Sequence, residues 1–70
     1  MLFCIKKVRE KRGFTQEQLA FRVNVTKEYI SYIENGHKQP SISLLKKIAK
    51  ELNTTVKALI VEEDPIESVV

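Results

Sequence analysis

Apolar residues along this chain recur three and four positions apart, and no segment sustains the strict alternation of a half-buried strand. The pattern predicts five short helices and no sheet. The first spans about residues 2–12, with Ile5 and Val8 on one face and Gly13 placed to take the left-handed position that ends a helix. The second opens at Thr15, where Gln18 three residues on completes a capping box, and it buries Leu19, Ala20 and Val23. Asn24 supplies a turn residue that tolerates positive φ, and Thr26 caps a third helix whose apolar positions are Ile30 and Ile33. After the break NGHKQP, Ser41 caps the most amphipathic segment, with Ile42, Leu45, Ile48, Ala49 and Leu52 on one face. Asn53 ends it. Thr55 then caps a last helix carrying Val56, Leu59 and Ile60.

Helices of about eight residues are not stable alone, so these must be held by packing against one another. A compact all-α bundle follows, one domain over residues 1–61, with no interior left for a cofactor and little room for an enzyme. Composition agrees: 43% hydrophobic and 30% charged residues suit a globular chain rather than a disordered one. Ser31, Cys4 and His37 form no recognisable nucleophile–base arrangement, and there is no glycine-rich phosphate loop. A single cysteine excludes a disulfide within the chain, and one cysteine with one histidine makes a structural zinc site implausible. No apolar run approaches the roughly 18 residues of a membrane span, and no signal-peptide pattern opens the chain, so a cytoplasmic protein is expected.

Charge is distributed unevenly. Residues 1–61 hold all 12 Lys and Arg against five acids, Glu10, Glu17, Glu28, Glu34 and Glu51, while Glu62, Glu63, Asp64 and Glu67 crowd the last nine positions. A basic body with an acidic tail at 62–70 suits a polyanionic partner.

Function enters through spacing. The second and third helices are joined by only a few residues around Asn24 and Val25, the steep crossing of a helix-turn-helix. Around it stand three further patterns. Arg9, Gly13, Thr15, Gln16, Leu19 and Ala20 form R-x-x-x-G-x-T-Q-x-x-L-A; YIS-x-I-E-N-G runs from Tyr29 to Gly36; P-S-x-x-x-L-x-K-I-A runs from Pro40 to Ala49. Together, residues 5–60 resemble the phage-repressor and Cro type (Xre-like) of helix-turn-helix domain from end to end. Asn24 departs from the family's usual glycine in the turn, a position where asparagine can adopt the same backbone.

The resemblance implies a five-helix, lambda-repressor-like domain that binds double-stranded DNA through a recognition helix at 27–35. It places Lys27, Glu28 and Tyr32 where the family contacts base edges, with Ser31 next. Helical geometry puts Glu28, Tyr32 and Asn35 opposite Ile30 and Ile33, with Ser31 beside them and Lys27 on the flank, at the end that would enter the groove first. Backbone phosphates are expected at Gln16 and Thr26, at Asn35, His37 and Lys38 beyond the recognition helix, and at Arg12. Glu34 projects only about 40° from Ile30, towards the core, where an unpaired carboxylate is costly. The resemblance puts Arg9 beside it, and the two are expected to form a structural ion pair.

One recognition helix covers few base pairs, so a homodimer on a palindromic operator is expected, joined through Val56, Leu59, Ile60 and Val61 with the acidic tail as a further contact. The implied role is a transcriptional regulator, first a repressor, with a restriction–modification controller or a self-repressing antitoxin as alternatives. Acids in place of Lys27, Gln16 and Lys38 would instead favour a protein-interaction module that has lost DNA binding, and none is present. No cofactor, metal or small-molecule ligand is implied.

Overall fold

A computed structural model describes residues 2–61 of the chain. Its helices are α1 (Ile5–Lys11), α2 (Gln16–Val23), α3 (Lys27–Glu34), α4 (Ile42–Glu51) and α5 (Val56–Leu59). Two-residue strands, β1 (Leu2–Phe3) and β2 (Ile60–Val61), pair antiparallel with Leu2 opposite Val61 and Phe3 opposite Ile60. The all-α, lambda-repressor-like bundle is therefore present, with the two ends of the described stretch clasped by a short ladder.

Local chemistry sets the helix boundaries. The hydroxyls of Thr15, Thr26, Ser41 and Thr55 each accept from the backbone N–H three residues on, capping α2 to α5. At Thr15 the box is closed in return by Gln18 Oε1, which accepts from the Thr15 amide at 2.9 Å. The first four helices all end alike. The residue after each helix's last turn takes positive φ at Gly13 (84°), Asn24 (63°), Gly36 (78°) and Asn53 (56°). The next amide then reaches back five residues, as in Phe14 to the Arg9 carbonyl, Val25 to Ala20, His37 to Tyr32 and Thr54 to Ala49. This paired closure satisfies carbonyls that a helix end leaves open.

The interior is formed by α2, which packs on both α3 and α4, with α5 against α4. Ile5, Leu19, Ile30, Leu45, Ile48, Leu52 and Leu59 are all under 2% exposed. At roughly 1.5–3 kcal/mol for each such side chain, this core stabilises helices too short to persist alone.

Four expectations are corrected. The first segment begins as β1 and turns helical only at Ile5. Two-residue strands carry no period to detect, and their pairing arises only when the ends meet in space. Ile60 belongs to β2 rather than to α5 for the same reason. Ile42, expected inside, is 62% exposed, and Leu44 is buried instead. Ile42 is the first residue of α4, where a side chain leans back off the end of the helix, and it lies at the edge of the apolar face. Leu59 is fully buried and cannot meet a dimer partner; its carbonyl accepts from the Cys4 amide at 2.9 Å, which draws α5 onto the start of α1. The acidic tail at 62–70 and the Val61 side chain lie outside the described residues.

Candidate nucleic-acid interface

The eight residues of α3 span about 12 Å, a length that fits across a B-DNA major groove. Its inward side is fixed by Ile30 and Ile33, both buried. Lys27, Glu28 and Tyr32 are exposed on the other side, with Ser31 half-buried between them. Lys27 and Glu28 occupy the first turn, the end a recognition helix presents to bases. Ser31 is already engaged: its hydroxyl accepts from the Asn35 side-chain amide at 3.3 Å, so it has less freedom to address a base.

Aromatic contacts order the far end of the face. The Tyr32 ring lies 5.1 Å from the His37 ring at a 35° tilt, and Lys38 Nζ sits 5.7 Å above the Tyr29 ring. Tyr29 itself is half-buried against the core, which leaves its ring as a platform for Lys38. Asn35, His37 and Lys38 are thus exposed together in the loop that leaves α3.

On the near side, Lys6, Thr15, Gln16, Glu17 and Lys27 line one open groove, with Arg9 and Phe14 among its walls. The capping box uses the amides of Thr15 and Gln18, so those of Gln16 and Glu17 have no partner within the helix and favour an anion. Lys6, on the neighbouring α1, adds a cation that makes no ion pair among the described residues. Sequence reasoning missed Lys6. Its signal was the i, i+3 spacing to Arg9, which puts it above the residue that meets the recognition helix.

Arg9 and Glu34 are in contact. Arg9 donates through Nε to Glu34 Oε2 at 2.7 Å and through Nη2 to Oε1 at 3.2 Å, with side-chain exposures of 7% and 1%. Its third nitrogen, Nη1, donates to the Phe14 carbonyl at 2.6 Å. One guanidinium therefore joins α1, the turn after it and the end of α3. Gln16 adds a further donor, Nε2 to Glu34 Oε1 at 2.9 Å. Thr26 is exposed, with its hydroxyl committed to the Tyr29 amide.

Arg12, also expected at a phosphate, is exposed and already engaged within the domain. It donates to the Asn53 carbonyl at 3.3 Å, beyond the last turn of α4, where open carbonyls attract a cation. Of the expected dimer residues, Val56 is half-buried against the core and Ile60 is half-buried in β2.

Two packed helices, α2 and α3, joined by a three-residue turn through Asn24 with its φ of 63°, form a helix-turn-helix within the bundle. The helix-turn-helix family profile matches residues 5–59, and the chain belongs to that family, in its phage-repressor and Cro-type branch of DNA-binding transcriptional regulators. It is 40% identical over 60 residues to an uncharacterised HTH-type transcriptional regulator of Archaeoglobus fulgidus, covering 86% of each chain. It is 38% identical over 63 residues to the immunity repressor protein of Bacillus phage phi105, covering 90% of this chain and 44% of that longer one. Among solved structures, it resembles the biofilm master regulator SinR in complex with DNA, with a TM-score of 0.71 and 35% identity over 76% of this chain and 86% of that one. No described helix is long and apolar enough to cross a membrane.

Proposed function

We propose that this protein is a sequence-specific repressor that acts in the cytoplasm, binding a palindromic DNA operator as a homodimer. The observation that carries this reading is the exposed stripe of α3, flanked by Lys6 and Gln16 on one side and by His37 and Lys38 on the other. In this reading α3 enters the major groove. Lys27 donates to guanine O6 and N7, Glu28 accepts from cytosine N4, and Tyr32 donates a hydrogen bond or lays its ring on a thymine methyl. Gln16, Lys6 and the free amides of α2 hold phosphates at one edge of the groove; Asn35, His37 and Lys38 hold them at the other. These contacts fix register and carry no sequence information. SinR, solved with DNA, supports the docking, and the phage repressor supports the regulatory sign.

The homodimer places two recognition helices about one helical turn apart, roughly 34 Å, on half-sites related by a two-fold axis. Its contact surface is Val56, Ile60 and Val61, continued by the acidic tail. Selection of bound sequences from a random DNA pool tests binding, specificity and half-site spacing together. The expected product is an inverted repeat with half-sites one turn apart. Recovery of no enriched sequence would remove the specific-binding reading. A sedimentation run showing only monomers, with and without the selected duplex, would remove the homodimer.

A further inference from the structure

We infer that Glu34 is a positioning residue for DNA binding: its buried carboxylate sets the direction in which Gln16 presents its amide to a backbone phosphate. The inference rests on the DNA-binding reading and extends it, because it gives a scaffold ion pair a second task at the interface.

The argument begins with the acceptor. An ionised carboxylate only accepts hydrogen bonds, and Glu34 Oε1 receives both Arg9 Nη2 and Gln16 Nε2. Gln16 must therefore turn its nitrogen towards Glu34; the flipped amide would set oxygen against oxygen. The amide nitrogen has two hydrogens. One is taken by the carboxylate, which leaves the other for a second acceptor at a groove that Gln16 and Glu17 line at the start of α2. A glutamine without this acceptor can present either end. Its carbonyl oxygen facing a phosphate is repulsive, so half of the side chain's orientations would oppose binding.

Burial makes the device rigid. The Glu34 side chain is 1% exposed and is held from the opposite side by the Arg9 fork, so water does not compete for Oε1 and the carboxylate does not swing. Glu34 is also the last residue of α3. The same atom group thus ties the position of the recognition helix to the phosphate contact at the start of α2, and the two docking points move as one unit.

The test is a scan of the selected duplex with single methylphosphonate substitutions, each removing one phosphate charge. Wild type should lose about tenfold or more in affinity at one phosphate per half-site, the scale of one hydrogen bond to a charged group. That phosphate should become silent in Gln16→Ala and lose about half of its effect on affinity in the double variant Arg9→Met/Glu34→Leu, which replaces the ion pair by apolar side chains and leaves Gln16 in place but free to flip. The remaining phosphates and the base preference should keep their effects. A double variant as sensitive as wild type at the phosphate that Gln16→Ala has lost would overturn the inference, since Glu34 would then be scaffold alone. A wild-type scan with no phosphate silenced by Gln16→Ala would overturn it too. Wild type that binds no duplex at all would instead bring down the DNA-binding reading, and this inference with it. A second measurement needs no variant: nitrogen-15 relaxation of the free protein should show the Gln16 side-chain amide as rigid as the backbone of α2. A freely rotating Gln16 amide would refute the positioning role directly.

Discussion

Replacing Arg9 by methionine removes the cation and leaves the Glu34 carboxylate inside the protein with a single neutral donor, Gln16. The size of the effect follows from burial. Exposures of 7% and 1% place the pair where breaking one partner costs about 3–5 kcal/mol, most of it the penalty of an uncompensated charge. The lost bond to the Phe14 carbonyl acts in the same direction. A domain of this length has roughly 4–10 kcal/mol of total stability, so Arg9→Met should consume about half of it. Urea unfolding followed by far-ultraviolet circular dichroism measures this directly. With a slope near 1 kcal/mol per molar urea for so short a chain, the midpoint should fall by about 3 M or more. Glu51→Gln is the control. It breaks the Arg22–Glu51 pair, whose exposures of 53% and 30% put it in the class worth at most about 1 kcal/mol. The double variant Arg9→Met/Glu34→Leu should recover most of the loss, because it leaves no buried charge behind. If Arg9→Met proved no more harmful than Glu51→Gln, the burial argument would be refuted whatever the distances.

Three further outcomes are expected. Lys27→Ala and Tyr32→Ala should each weaken binding to the selected operator by about 1–3 kcal/mol and relax base preference at the contacted position; unchanged preference in competition assays would show that the reading face is misassigned. Lys38→Ala and Lys6→Ala should weaken operator and random DNA alike, and a salt titration should show the slope of log affinity against log salt reduced by about 1 in each. At Asn24, where φ is 63°, Asn24→Ala should destabilise by about 1 kcal/mol while Asn24→Gly leaves stability equal or slightly raised, measured as shifts in the thermal midpoint.

Much of this protein is decided within a few residues of chain. A hydroxyl that opens a helical apolar pattern can bond the amide three positions on, so Thr15, Thr26, Ser41 and Thr55 mark four helix starts through local contacts alone. Glycine and asparagine admit positive φ, so Gly13, Asn24 and Asn53 mark helix ends. The 3.6-residue period then sorts α3 into its buried and outward sides, and the family resemblance singles out Lys27, Glu28 and Tyr32 among the residues outside the core.

Other features exist only when distant segments meet. The pairing of Leu2–Phe3 with Ile60–Val61 joins the two ends of the domain and has no local signal. The same closure sinks Leu59 into the core, although its helix looks, as a string, like a free apolar edge. Arg12 and Lys6 stand on the same first helix or its cap, both exposed and both cationic. Only the placement of α4 sends Arg12 to the Asn53 carbonyl, and only the approach of α2 and α3 brings Lys6 to the groove. The bond from Gln16 to Glu34 spans 18 residues of sequence. Periodicity reports which face of a helix is wet, because that depends on one angle per residue. Which partner waits on that face depends on how the helices cross, and that was decided by the core.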